Sequence, residues 1–123
     1  MSITLPNGSH LRYQDHQLHL EEVALHTLAT TYATPLFVYS KAAMLEALGA
    51  YQAGFKGRKA QICYAMKANS SLAILQLFAQ AGCGFDIVSA GELARAMAVG
   101  AEPKKIIFSG VGKTRAEMWA ALS

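Results

Sequence analysis

Three features of this sequence predict an α/β fold built on a parallel sheet. Apolar strands alternate with segments of helical periodicity, and the later strands are almost continuously apolar. The strand ends also recur at near-constant spacing, with Met66, Val88 and Phe108 lying 22 and 20 residues apart. Continuous apolar runs belong to strands covered on both faces, and such a repeat fits one strand plus one crossover helix. An open doubly wound sheet and a (β/α)8 barrel both satisfy the pattern. A barrel usually takes about 250 residues. With 123 residues and three or four strand–helix units, the chain is expected to be an incomplete piece of any such barrel.

Residues 1–34 are different in character. Leu5-Pro6-Asn7-Gly8 reads as a turn, and His10 to Leu20 alternates polar and apolar residues as a strand or hairpin does. A short helix is expected from Glu21 to Tyr32, with Val23, Leu25, Leu28 and Ala29 as its apolar side and Pro35 ending it. From residue 35 the pattern becomes regular. Leu36-Phe37-Val38-Tyr39 reads as a strand, and Ser40 can cap a helix carrying Met44, Leu45, Leu48 and Tyr51. Gln61 to Met66 is the next strand, followed by a helix from Ser71 to Ala81 that Gly82 stops. Phe85 to Val88 and Lys105 to Phe108 are further strands. The patterns Ser89-Ala90-Gly91-Glu92 and Thr114-Arg115-Ala116-Glu117 read as capping boxes opening the helices after them.

Composition narrows the function classes. The chain is 53% hydrophobic and 15% charged, as a globular core requires, with no low-complexity tract. A net charge of +3 is modest, and the densest basic group, Lys56, Arg58 and Lys59, reads as a solvated loop rather than a nucleic-acid patch. There is no signal-like leader and no apolar run near the roughly 20 residues that span a bilayer, so no membrane role is expected. Cys63 and Cys83 lack CxxC spacing and read as buried free thiols of a reducing cytoplasm.

In parallel α/β proteins functional groups collect at the carboxyl ends of strands, which singles out residues 67–69, 86–89 and 109–113. Lys67 directly follows the strand Ile62-Cys63-Tyr64-Ala65-Met66. At the rim of a desolvated core its amine would be favoured in the neutral form that attacks carbonyls, but from position alone a lysine that only snorkels outward is the commoner reading. Asp86 lies among apolar neighbours, where a carboxylate needs a cation, a ligand donor or a backbone amide, unless it faces the solvent edge. Glu92 is accounted for by its capping box. Gly110-Val111-Gly112-Lys113-Thr114 imitates a phosphate-binding loop, but the glycine required five positions before Gly112 is Ile107. His10, His16, His19 and His26 fall in the first region without any zinc-binding pattern, so no metal site is expected.

Tyr64-Ala65-Met66-Lys67-Ala68-Asn69 resembles the lysine motif of the fold-type III pyridoxal-phosphate enzymes, the alanine racemases and basic amino-acid decarboxylases. Thr34 to Tyr39 is similar to that family's opening segment, and Phe85 to Leu93 to its next motif. Ile107-Phe108-Ser109-Gly110-Val111-Gly112-Lys113-Thr114 resembles the version carried by the diaminopimelate decarboxylases rather than the Asn-Pro-Cys-Lys version of ornithine-type enzymes. The resemblance runs from about Glu21 to the last residue, with its motifs in order.

That resemblance implies a partial (β/α)8 TIM barrel of the alanine racemase-like type over residues 35–123, with residues 1–34 contributing to a second, β-rich domain. It implies pyridoxal phosphate as cofactor, held covalently by Lys67, with Asp86 and Ala65 in the cofactor pocket. It also implies a cytoplasmic homodimer that decarboxylates meso-2,6-diaminopimelate to L-lysine. An ornithine or arginine decarboxylase, an amino-acid racemase and a noncatalytic binding module are the alternatives. The family's phosphate-binding glycines, pyridine-pairing glutamate, substrate-binding residues and proton donor lie downstream of these motifs. The resemblance therefore implies that residues 1–123 alone lack useful decarboxylase activity.

Overall fold

The polar–apolar alternation after His10 folds into an antiparallel hairpin. Strand β2 (Leu11–Gln14) pairs with β3 (Gln17–Leu20) through a two-residue turn in which Asp15 and His16 both have positive φ, 48° and 62°. Two successive left-handed residues give the turn whose twist matches a hairpin. β1 (Ile3–Thr4) and β4 (Val23–Ala24) complete a four-stranded sheet in the order β1-β2-β3-β4. The computed structural model describes residues 3–4 and 10–123, so the turn expected at Leu5 to Gly8 lies outside the described residues. By internal packing the chain divides into units of residues 1–50 and 51–123.

Helix α1 (Leu25–Tyr32) begins four residues later than expected. Glu21 takes a positive φ of 53° and turns the chain so that Val23 pairs back onto Leu20. Val23 therefore belongs to a strand and is exposed, whereas Leu25, Leu28 and Ala29 are partly covered. The strand expected at 36–39 does not form among the described residues: the segment is irregular and exposed. An apolar run permits a strand, but the hydrogen-bond ladder of a partner makes one.

Ser40 does cap the next helix, α2 (Lys41–Gly54), its Oγ accepting from Ala43 N at 3.0 Å. Glu21 joins it: Ser40 Oγ donates to Glu21 Oε1 at 2.6 Å, and Ala42 N donates to the same oxygen at 2.9 Å. The carboxylate thus satisfies one orphan amide at the positive end of the helix, and Ser40 satisfies another.

Residues 51–123 hold the parallel sheet. Strands β5 (Cys63–Ala65), β6 (Gly84–Ile87) and β7 (Ile106–Phe108) lie side by side in that order. Both pairings are parallel, and the connections are α3 (Leu72–Gln80) and α4 (Ala90–Ala98), with α5 (Arg115–Leu122) after β7. Leu75, Phe85 and Ile87 are completely buried. Removing each such side chain from water contributes about 1.5–3 kcal/mol. Tyr64 stacks on Phe78 of α3 with ring centroids 4.4 Å apart and meets Phe85 edge-on at 6.5 Å. Tyr64, Phe85 and Ile106 are register partners, as are Ala65, Asp86 and Ile107. Because side chains alternate along a strand, these two rows lie on opposite faces of the sheet. The second row is the open one, with Asp86 half-buried and Ile107 exposed.

Candidate cofactor site

Lys67 sits in a single 3₁₀ turn, Met66–Ala68, that begins where β5 ends. Met66 is buried and anchors this turn in the core, while Lys67 and Ala68 are exposed. The expected desolvated rim is therefore not supplied by the described residues around Lys67. The turn itself is well held. Tyr64 OH donates to Asn69 O at 3.0 Å, and Ser71 N donates to Asn69 Oδ1 at 2.9 Å. Arg95 Nη1, from α4, donates to Ser70 O at 3.1 Å. These bonds fix the backbone that follows the lysine, at Asn69 to Ser71, while its amine makes no hydrogen bond or ion pair among the described residues.

Asp86 lies on the neighbouring strand, opposite Ala65 and so two residues in register from Lys67. The partner its carboxylate requires is a hydroxyl: Ser109 Oγ donates to Asp86 Oδ1. Ser109 is the first residue beyond β7, and its backbone N donates to Ile87 O at 2.9 Å. Lys113 folds back over the same loop, donating to Ser109 O at 3.1 Å and Gly110 O at 2.7 Å. Its ammonium also stands 5.5 Å from the centre of the Phe108 ring. The Gly110–Thr114 segment is thus closed by its own lysine. Strand-end reasoning points to residues 109–113, but the pairing of Ser109 with Asp86 spans 23 residues and leaves no local pattern.

The two helix starts beside this loop differ. Thr114 and Glu117 form the expected capping box at α5. At α4, Ser89 Oγ accepts from Glu92 N at 3.2 Å, but the Glu92 carboxylate bonds Val88 N at 2.6 Å instead of completing the box on Ser89 N. Glu117 reaches across, accepting from Thr114 N at 2.9 Å and from Ala90 N at 3.0 Å. These amide donors hold its carboxyl below the ordinary glutamate range.

Cys63 and Cys83 are free thiols, and burial pushes both upward in pKa, with Asp86 adding to the effect at Cys63. The described residues hold no group of three or more His, Cys, Asp or Glu placed to bind a metal. Nor is any described helix long and apolar enough to cross a membrane.

A lysine just past the carboxyl end of a parallel strand, with a carboxylate on the next strand in register two residues before it, defines a class of site, and the sequence profile agrees. The family described as "Pyridoxal-dependent decarboxylase, pyridoxal binding domain" matches residues 41–123, and the chain belongs to it. The cofactor of that family is pyridoxal phosphate. Within the family the likeness is to diaminopimelate decarboxylases. The one from Vibrio cholerae is 50% identical over 109 residues, covering 89% of this chain and 26% of the relative. A diaminopimelate decarboxylase from M. jannaschii, solved in co-complex with L-lysine, superposes with a TM-score of 0.89 at 34% identity, covering 97% of this chain and 29% of that one. A crystal structure from Aquifex aeolicus superposes at 0.86 with 44% identity, covering 91% of this chain and 28% of that one. The chain spans about a quarter of the length of these relatives.

Proposed function

We propose that this chain is the lysine-bearing part of an enzyme that decarboxylates meso-2,6-diaminopimelate to L-lysine with pyridoxal phosphate. The observation that carries the proposal is the placement of Lys67: an exposed primary amine on a braced turn at the carboxyl end of β5. A primary amine is the group that binds an aldehyde covalently, so the side chains present fit the cofactor at its anchor. Ala65, small and on the open face, leaves room beside that anchor, and Asp86 offers a carboxylate there. When bound, the cofactor supplies a ring that accepts the electron pair released as carbon dioxide leaves. Lys67 would hold the cofactor through its amine, kept at the end of β5 by the bonds that Tyr64 and Arg95 make to the backbone after it. Asp86 provides negative charge that favours cationic nitrogen at this end of the sheet.

The architecture proposed with this function is the first part of an alanine racemase-like (β/α)8 barrel over residues 35–123. Residues 1–34 are assigned to a β-rich second domain. The parallel order β5-β6-β7, the helix after each strand and the open Ala65–Asp86–Ile107 face support this reading. The whole protein is proposed to act as a cytoplasmic homodimer.

The test is to add pyridoxal phosphate to the protein in its longest natural form, reduce with borohydride and map the labelled peptide. The label is expected on Lys67, and Lys67→Ala should abolish it. Carbon dioxide release is then measured with meso-diaminopimelate, ornithine, arginine and lysine. Labelling elsewhere sinks the Lys67 assignment, while release from another substrate alone sinks the choice of substrate.

A further inference from the structure

We propose that Ser109 is a positioning residue that orients the Asp86 carboxylate toward the Lys67 end of β5, a proposal that rests on the cofactor reading above. A strand aspartate has a rotatable χ1 and a broad, two-fold χ2, so nothing local decides where its oxygens point. Here one donor decides it. Ser109 Oγ occupies Oδ1 from the β7 side, which leaves Oδ2 without a hydrogen-bond donor among the described residues. The Ser109 backbone is itself held on both sides, by its bond to Ile87 O and by the Lys113 ammonium on its carbonyl. Lys113 is further held by Gly110 O and the Phe108 ring. The hydroxyl is therefore presented by a closed loop, and the aspartate it holds is in register with Ala65, two residues before the lysine. A fixed carboxylate with one unoccupied oxygen is suited to a cationic nitrogen, the charge that an amine–aldehyde site carries when protonated.

A bond that only tied β7 to β6 would affect stability and nothing else, so the experiment separates the two roles. Ser109→Ala and Ser109→Thr are compared with the natural protein in its longest form. The Asp86 χ1 population is read from NMR couplings without cofactor. Borohydride trapping of pyridoxal phosphate on Lys67 is measured relative to the exposed reference lysines Lys56 and Lys59. Ser109→Ala is expected to average the Asp86 rotamers and to cut the Lys67-to-reference ratio by roughly fivefold or more, from the usual strength of a hydrogen bond to a charged group. Ser109→Thr keeps the hydroxyl and should restore both readings. Should Ser109→Ala fail to fold, Lys113→Met, which loosens the same loop, is expected to move both readings in the same direction. A single Asp86 rotamer in Ser109→Ala, or a labelling ratio within twofold of the natural protein, overturns the proposal. If the natural protein labels Lys67 no better than Lys56 or Lys59, the cofactor reading fails and takes this one with it, whatever Asp86 does.

Discussion

At the scale of single residues, the open face of the sheet carries both the candidate chemistry and its constraints. Cys63 lies in the same strand-face row as Gly84, and its Sγ is 3.7 Å from Lys105 O, where burial and the Asp86 charge both disfavour a thiolate. Cys83 is buried outright. Since the thiolate is the reactive form, both cysteines should react with a thiol reagent at pH 7 far more slowly than a free thiol, with full reaction only after unfolding. Rapid modification of either in the folded protein would overturn this expectation. Gly84 is constrained for a different reason. A Cβ at this position would overlap the Lys105 carbonyl oxygen and stand 2.8 Å from Cys63 Sγ. A backbone carbonyl yields far less readily than the end of a flexible side chain, so Gly84→Ala should destabilise by about 1–3 kcal/mol, the usual range for overpacking. Denaturant unfolding checks this, and an unchanged midpoint would show that β6 and β7 can separate without penalty.

At the scale of elements, helix starts explain which expectations the sequence could support. Local patterns were sufficient at α5, where Thr114 and Glu117 stand three residues apart and close the box. Thr114→Ala should accordingly lower stability by about 1 kcal/mol, measured by thermal or denaturant unfolding, and Thr114→Ser should recover most of it. Strands β5 to β7 and their helices were legible for the same reason, since hydrophobic periodicity is a property of neighbouring residues. What escaped were partners brought together by folding. Glu21 looks like the first residue of a helix, yet it sits in a left-handed turn and caps α2 from 19 residues away at Ser40. Residues 36–39 look like a strand, and only the absence of a ladder partner among the described residues shows otherwise. The site divides along the same line. Lys67 and Asp86 stand in recognisable strings, whereas Ser109, Lys113 and Arg95 act through contacts whose local sequence has no signature.

At the scale of the whole molecule, each packing unit contains a helix-capping carboxylate whose pKa is lowered by the bonds it accepts. Glu21, in residues 1–50, is held below its ordinary value of 4.5 first by Ser40, then by the Ala42 amide. Glu117, in residues 51–123, is lowered first by the Thr114 amide, then by the Ala90 amide. A carboxyl lowered in the folded state binds fewer protons there than in the unfolded chain, so folding is favoured where both are ionised. That contribution is fully present above the ordinary value of about 4.5 and is lost as pH falls through the lowered folded values. Acid should therefore loosen both units over the same range, by protonating one cap in each. The measurement is the melting temperature between pH 6 and pH 3 for the natural chain and for Glu21→Gln, Glu117→Gln and the double variant. Glutamine keeps an acceptor oxygen but does not titrate, so each single variant should be less stable at pH 6 and show a shallower decline. The double variant should show the shallowest. A double variant that declines as steeply as the natural chain would assign the acid sensitivity to carboxylates other than these two caps.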